Sequence, residues 1–192
     1  QLGGNAEELL ANIDQLEVIE DLAEDFANDP TKMSTVFANV DKAEKIRDLS
    51  NQLGGSADEL LTNIDQLDVI EDLAGDFGND ASKMSTVFAN VDKAEKIRDL
   101  SDQLGGSADE LLTNIDQLDV IEDLAEDFSN DVSKMATVFA NPDKANQLRD
   151  LTDQLGGSVD DLLANLDQLD VIEDLAEEFS NDASKMATVF AN

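Results

Sequence analysis

The chain has 192 residues, which is enough for one or two domains of ordinary size. Its 45 acidic residues stand against 12 basic ones, so the net charge is −33. That charge excludes nucleic acid as a default partner, because phosphate binding requires clustered lysines and arginines. It also disfavours anionic membrane surfaces, and it is compatible with cations, with basic proteins or with solubility alone.

Several kinds of chemistry lack the residues that they need. The chain has no Cys, His, Trp or Tyr, so disulfides, thiolate metal sites and thiol catalysis are excluded. No apolar run approaches the ~18 residues of a membrane span, and we expect no membrane insertion. Apolar residues make up 41% of the chain and recur periodically, which favours a folded protein over a disordered one.

Self-similarity is the dominant signal in the sequence. The string Gln-Leu-Gly-Gly recurs every 51 residues, and the second and third copies differ at nine of 51 positions. The repeats occupy residues 1–51, 52–102, 103–153 and the shortened 154–192. A weaker repeat lies within each copy, since residues 11–22 align with residues 38–49 through the shared pattern A-N-[IV]-D-x-x-E-x-I-x-D-L. Each 51-residue repeat therefore consists of two helical pairs of about 25 residues.

The first helical pair of each repeat has a short helix A and a long helix B. In the second repeat, Ser56 with Glu59 forms a capping box that predicts helix A from Ala57 to about Thr62. Asn63 then predicts the cap of helix B, which we expect from Ile64 to about Phe77 on its helical apolar period. One bent helix spanning A and B is the alternative.

The second pair has a short helix C and a long helix D. Helix C is expected after Asp80, because Pro30 follows the equivalent Asp29 in the first repeat and Pro favours the first helical position. Helix D is expected after Asn90, because Asn141-Pro142 in the third repeat cannot lie inside one unkinked helix. The apolar residues of helices C and D are Met84, Val87, Phe88, Val91, Ala94, Ile97, Leu100 and Leu104, and Gly105-Gly106 is expected to end helix D as a left-handed cap.

These elements predict an all-α fold, an α-solenoid of tandem 51-residue repeats that each contain two short-helix/long-helix pairs. One pair cannot bury its apolar face alone, whereas stacked neighbours can. Eight pairs spaced by ~8–10 Å predict a rod or arc on the order of 70 Å long. A compact helical bundle is the competing fold.

Both ends of the chain fall within a repeat. Residues 1–4 match the last turn of helix D, and the chain stops at Asn192 before a fourth helix D. Neither end has the atypical polar repeat that usually caps a solenoid. We therefore expect a section of a longer array, or a subunit that associates end to end with itself or with neighbouring repeats.

Charge is distributed unevenly along each repeat, because every Lys and Arg falls in helix C or D. If the A/B pairs line one edge of the solenoid, that edge is an anionic stripe. Its densest clusters are the candidate ligands for Ca²⁺ or another hard cation. These residues are Asp21, Glu24, Asp25, Asp29, Asp72, Asp76, Asp80, Asp123, Glu126, Asp127 and Asp131. A solvated acidic face, with Asp29 and its equivalents capping helix C, is the alternative, and no EF-hand loop is present.

The uniform repeats favour a non-enzymatic structural role, as a spacer or building block of a large surface fibre, sheath or adhesin. We expect an extracellular or cell-surface location in a prokaryote, with the cytoplasm as the alternative. A groove for a basic protein or peptide is a second hypothesis, although Phe26 and Phe37 lie on the apolar phase of their helices and favour core packing. No catalytic motif and no tetratricopeptide, ankyrin or leucine-rich signature is present, and we expect no cofactor apart from a possible Ca²⁺.

Overall fold

The computed structural model describes residues 6–155 and 159–190, and every regular element in that part of the chain is helical. The predicted all-α class is therefore confirmed. The α-helices are α1 (Ala6–Ala11), α2 (Leu16–Asp25), α3 (Pro30–Ala38), α4 (Val40–Leu53), α5 (Ala57–Thr62), α6 (Leu67–Asp76), α7 (Ala81–Ala89), α8 (Ala94–Gln103), α9 (Ala108–Thr113), α10 (Leu118–Asp127), α11 (Val132–Ala140), α12 (Pro142–Leu155), α13 (Val159–Ala164), α14 (Leu169–Glu178) and α15 (Ala183–Phe190). Single 3₁₀ turns lie at Ile13–Gln15, Ile64–Gln66, Val91–Lys93, Ile115–Gln117 and Leu166–Gln168.

Predicted helices A, B, C and D of the first repeat correspond to α1, α2, α3 and α4, and the same order recurs along the chain. The predicted bounds of helix A match α5. Helix B does not begin at Ile64, because residues 64–66 form a 3₁₀ turn and α6 begins at Leu67. Some residues used in the predictions on the repeat string and the chain ends lie outside the described part of the chain. They are residues 1–4, Gly156, Gly157 and Asn192.

The break between helices A and B is confirmed, but the caps predicted at Ser56 for helix A and at Asn63 for helix B are wrong. Ser56 has φ −108° and ψ 29° and makes no side-chain bond to the helix that follows, because its backbone is outside the extended conformation of an N-cap. Asn63 does not cap helix B either. Its Nδ2 donates to the carbonyl oxygen of Glu59 at 2.8 Å and so closes the preceding helix.

Helix C begins as predicted, immediately after an aspartate. Pro30 is the first residue of α3, and the corner before it is formed by Ala27 and Asn28, both in the left-handed region with φ of 51° and 57°. The Asn28 amide donates to the Ala23 carbonyl at 2.7 Å, which satisfies one of the last carbonyls of α2. This corner turns the chain from helix B into helix C within four residues.

The two ends of helix D are also set by local bonds. At its start, Asn39 Nδ2 donates to the Thr35 carbonyl at 2.9 Å, so the asparagine terminates helix C. At its end, Gly54 adopts φ 74° and the Gly55 amide donates to the Ser50 carbonyl at 2.9 Å. The predicted left-handed glycine cap is therefore confirmed in the first repeat.

The chain divides into two compact units, Gln1–Arg98 and Asp99–Asn192. In the first unit, α4 packs against α2 and α3, which precede it, and against α5 and α6, which follow it. In the second unit, α12 packs in the same way against α10 and α11 and then against α13 and α14. Helix D is therefore the central element of both units.

The predicted apolar faces form the core. In α6 and the residue that follows it, Leu67, Val69, Ile70, Leu73, Ala74 and Phe77 are buried. The prediction for the aromatic residues is only partly right. Phe26, Phe77 and Phe128 are buried, but Phe37 and its equivalents Phe88 and Phe139 are half-buried. These residues lie in the last turn of helix C, where the chain turns away into helix D.

Candidate functional site

The aspartates that precede helix C are helix caps. Asp29 Oδ1 accepts from the backbone amides of Thr31 at 2.8 Å and Lys32 at 3.2 Å, and Asp80 and Asp131 make the equivalent bonds. The amide of Lys32 and then that of Thr31 lower the pKa of Asp29, because both bonds favour the ionised carboxylate. These three candidate ligands are therefore engaged in helix capping.

A second set of candidate ligands faces arginines of helix D. The shortest distances between carboxylate oxygens and guanidinium nitrogens are 3.8 Å for Asp21–Arg47, 3.9 Å for Asp72–Arg98 and 3.7 Å for Asp123–Arg149. The guanidinium of Arg149 also donates to Asp150 at 2.8 Å. These long contacts connect helix D to the helix B that precedes it in the chain.

The remaining candidates do not converge on a common point. Glu24, Asp25, Asp76, Glu126 and Asp127 are exposed. Desolvation raises the pKa of Asp127, with smaller contributions from the like charges of Asp153 and Asp123. Within residues 6–155 and 159–190, no group of three or more carboxylates is arranged to hold a metal ion.

Lysines of helix D contact the acidic residues of the next helical pair. Lys45 lies against both Asp68 and Glu71, with an Nζ–Oε2 distance of 2.6 Å to Glu71. The hydrogen bonds that Lys45 donates to Asp68 and then to Glu71 raise the pKa of Lys45, and the bond from Lys45 lowers the pKa of Asp68. Lys42 Nζ donates to Asp65 at 3.1 Å and to the carbonyl oxygen of Ile64 at 3.2 Å.

A lysine of helix C makes a further link to the same pair. Lys32 Nζ lies 2.6 Å from Asp58 Oδ1 of α5 and 5.5 Å from the centre of the Phe26 ring. The ring is buried, so its face and the carboxylate hold the ammonium group between helix B of one repeat and helix A of the next. The basic residues thus lie between successive pairs.

The second unit contains the same links. Lys134 Nζ lies 2.6 Å from Asp160 Oδ1, and Lys144 Nζ donates to the Leu166 carbonyl at 2.9 Å. Gln147 takes the position of Lys45, and its Nε2 donates to Asp170 at 2.9 Å and to Glu173 at 2.7 Å. We call this recurring set of bonds from helices C and D to the following A/B pair the inter-pair links.

The inter-pair links modify the predicted anionic stripe. Every basic residue falls in helix C or D, but this distribution does not show which carboxylate each one faces. The signal is present nevertheless, because the linked residues are 22, 23 or 26 positions apart, close to the length of one helical pair. Part of the acidic edge is therefore neutralised by the lysines of the preceding pair.

The first A/B pair differs from the later ones in its exposed apolar surface. Leu10, Ile13 and Leu16 are 72%, 58% and 40% exposed. Their equivalents in the second repeat are covered, since Leu61 is 9% and Leu67 is 3% exposed and Ile64 is half-buried. We call Leu10, Ile13, Leu16 and the adjoining acidic residues Asp14, Glu17 and Glu20 the N-terminal face.

Comparisons with protein-family models, with curated proteins and with solved structures find no match to this chain. None of the helices in the described part of the chain has the length and apolar character needed to cross a membrane.

Proposed function

We propose that the chain is a non-enzymatic structural repeat array, built as an α-solenoid of tandem 51-residue repeats. It would act as a spacer or building block of a large fibre, sheath or adhesin, outside the cell or on the cell surface of a prokaryote. Its partners would be further repeats of the same kind, placed end to end.

The recurring inter-pair links carry this proposal. Within the unit Gln1–Arg98, helix α4 is linked backwards through Arg47 and forwards through Lys42 and Lys45. Within the unit Asp99–Asn192, helix α12 is linked backwards through Arg149 and forwards through Lys144 and Gln147. Bonds that each join one helical pair to the next suit an array that grows by adding pairs.

The same bonds favour extension over specific recognition. A recognition or catalytic site requires a constellation that differs from its surroundings, whereas the two units carry closely similar sets of contacts. Among the described residues, lysines of helices C and D face carboxylates of the same chain, as Lys45 faces Asp68 and Lys134 faces Asp160. The net charge of −33 then serves solubility and keeps parallel arrays apart, unless cations screen it.

Small-angle X-ray scattering tests the proposal directly. A compact domain of 192 residues has a radius of gyration of about 16 Å. A rod on the order of 70 Å long has a radius of gyration above about 20 Å. We expect the larger value at 0.15 M NaCl, with a pair-distance distribution skewed towards long distances. A value near 16 Å would favour the compact bundle and contradict the solenoid.

Sedimentation velocity over a concentration series separates the two structural roles. End-to-end growth predicts a sedimentation coefficient that rises with protein concentration, because heterologous contacts of this kind do not close. A strict monomer over the series would leave the spacer role and exclude self-assembly.

A further inference from the structure

The third repeat has a surface groove of about 420 Å³ between α9 and α11. That volume falls within the range of ligand-binding clefts. The side chains that line the groove are Ser107, Glu110, Val132, Ala136, Phe139 and Ala140. Unlike the N-terminal face, the groove lies inside the chain, because α8 precedes α9 and α12 follows α11.

The floor of the groove is one apolar side of α11. The spacing i, i+4, i+7 and i+8 places four apolar residues on that side, and these are Val132, Ala136, Phe139 and Ala140. Val132 is 54% exposed, the two alanines are exposed and Phe139 is half-buried. The core side of the same helix carries Met135, which is buried. Helix α11 is therefore apolar on two sides, and only the core side is fully covered.

The sequence of the third repeat departs from the earlier repeats at this floor. Val132 stands where the second repeat has Ala81, and Ala136 stands where it has Ser85. Both changes make the exposed side of helix C more apolar. Contiguous exposed apolar residues with a polar rim are typical of interaction sites, and a recognition site has to differ from its surroundings. The groove meets both conditions.

Two polar side chains at the start of α9 form the rim. Ser107 precedes the helix, and its hydroxyl makes no capping bond to it. The carboxylate of Glu110 is exposed and forms no ion pair with any residue in the described ranges. The lining that the structure describes contains no Lys or Arg. The rim therefore offers a hydroxyl and a negative charge to an incoming cationic group.

Charge decides between the candidate occupants. A second copy of the chain would bring a net charge of −33 and a second Glu110 to the same place. A wholly apolar segment would desolvate the Glu110 carboxylate without giving it a partner. A segment with an apolar side and a neighbouring Lys or Arg complements both the floor and the rim.

We propose that this groove is a docking site for a basic amphipathic helix of a different protein. Aliphatic side chains of that helix pack on Val132, Ala136 and Phe139, and a lysine or arginine on its flank binds Glu110 and Ser107. The floor covers about two helical turns, or ~12 Å, which suits anchors spaced by one turn on the incoming helix. The inference goes beyond the structural role of the array and does not depend on it, because the groove lies within one repeat.

The test titrates the whole isotope-labelled chain with a peptide and follows it by NMR in about 0.15 M NaCl. The probe is a helical peptide of about 18 residues, with leucines three or four positions apart on one side and lysines beside them. We expect saturable amide shifts confined to residues 107–114 and 131–141 below about 1 mM peptide. Shifts spread over the acidic residues of every repeat, or no saturable shift, would overturn the proposal.

Two matched peptides separate the contributions of charge and apolar surface. One has glutamate in place of each lysine, and the other has serine in place of each leucine. Neither should saturate the groove, because the first repels Glu110 and the second cannot pack on Val132. Saturation by the serine peptide would show that charge alone binds it and would contradict docking on the floor.

Variants of the chain locate the contact. Val132→Ala with Ala136→Ser restores the residues of the second repeat, so the fold should persist while the lysine peptide binds about fivefold more weakly. Glu110→Gln should weaken binding about two- to fivefold. Glu59→Gln makes the same change at an exposed residue of the second repeat and should leave binding unchanged. Equal binding by the double variant and the original chain would contradict docking at this groove.

The reciprocal variant tests whether the floor is sufficient. Ala81→Val with Ser85→Ala gives the second repeat the apolar residues of the third, and Glu59 already occupies the position of Glu110. This variant should show a second set of saturable shifts, in residues 56–63 and 80–90. A single set would contradict the proposed role of these two residues. Shifts in residues 131–141 that grow with protein concentration, without peptide, would instead identify a second copy as the occupant.

Discussion

Lys45 in α4 and Gln147 in α12 lie 102 positions apart in the sequence, and each donates to two acidic residues of the long helix that follows. Lys45 contacts Asp68 and Glu71, and Gln147 contacts Asp170 and Glu173. The inter-pair link therefore depends on a donor of suitable length, and a formal charge is not required. Lysine adds attraction to the same geometry, but the partly exposed site limits its value.

We expect Lys45→Gln to change the free energy of unfolding by less than about 0.5 kcal/mol, because glutamine makes this link in α12. Lys45→Glu should cost about 1–2 kcal/mol at pH 7, since it places a third carboxylate beside Asp68 and Glu71. Urea denaturation of the variants measures the difference. Gln147→Lys is the reciprocal control and should be neutral or slightly stabilising.

The pH dependence of this link has a definite sign. The pKa of Asp68 is lowered in the folded chain by Lys45, so the stabilisation is present above the unfolded value of about 3.9. It is lost as the pH falls through the lower folded value. The difference in unfolding free energy between the original chain and Lys45→Gln should therefore become smaller below about pH 4. A difference that grows in acid would show that Lys45 does not lower the pKa of Asp68.

Two glycines of the second repeat should respond oppositely to the same substitution. Gly75 lies inside α6 and Gly78 lies at the following corner with φ 59°, and a Cβ at either position meets no atom within 4 Å. Gly75→Ala should stabilise the chain by about 0.5–1 kcal/mol through helix propensity. Gly78→Ala should destabilise it by about 1 kcal/mol, because alanine is strained at positive φ. Thermal denaturation of the two variants is the measurement.

The first repeat supplies the converse experiment. Ala27 occupies the position of Gly78 with φ 51°, so Ala27→Gly relieves backbone strain at the cost of a more flexible unfolded chain. We expect a net gain of about 0.5 kcal/mol. A loss of stability would show that the left-handed corner is not strained in the first repeat.

Asp80 and Ser56 test the structural assignment of the caps. Asp80→Ala should cost about 1 kcal/mol, because the carboxylate accepts from the amides of Ser82 at 2.9 Å and Lys83 at 3.0 Å. Asp80→Asn should retain most of that stability, since asparagine caps as well as aspartate. Ser56→Ala should be nearly neutral, because the Ser56 hydroxyl makes no capping bond. If calorimetry shows that Asp80→Ala and Ser56→Ala lose equal stability, Ser56 does cap helix A as the capping box predicts.

Asp127 is expected to destabilise the folded chain at neutral pH. Desolvation first, and then Asp153 and Asp123, raise its pKa above the unfolded value. A raised carboxyl pKa contributes stability below about pH 3.9, and that stability is lost as the pH rises through the folded value. Asp127→Asn should therefore raise the unfolding free energy slightly at pH 7, because solvent screens the repulsion at this exposed carboxylate, and the gain should shrink in acid.

Asp25 provides the control for Asp127. It has the same place at the end of α2, but Asn51 stands where Asp153 does in the third repeat. Asp25→Asn should give a smaller gain at pH 7, because one of the like charges is missing. If Asp25→Asn and Asp127→Asn raise the unfolding free energy equally, repulsion by Asp153 does not contribute to the effect at Asp127.

Salt should stabilise the chain despite its many ion pairs. The Debye length falls from ~30 Å at 0.01 M to ~8 Å at 0.15 M, so NaCl screens the repulsion of a chain with net charge −33. The melting temperature should rise over that range, and CaCl₂ and MgCl₂ should raise it equally at matched ionic strength. A much larger effect of Ca²⁺ at micromolar to millimolar concentrations would revive the calcium hypothesis for the acidic clusters.

Most local features follow from the sequence because they depend on residues a few positions apart. Pro30 and Asp80 mark the start of helix C, and Gly54 marks the end of helix D, through conformational preferences that need no tertiary contact. The predicted capping box did not form. The residues around Ser56 have the right pattern, but the backbone of Ser56 lies at φ −108° and ψ 29°, outside the extended conformation of an N-cap, and its hydroxyl makes no capping bond.

The sequence by itself determined that the chain is all helical, where helices A and C begin and which faces are apolar, since helical period and capping residues act locally. Only the tertiary structure decided which carboxylate each lysine contacts. Lys32, Lys42 and Lys45 meet carboxylates 23 or 26 residues away because helices C and D pack against the A/B pair that follows them, and no local preference encodes that packing.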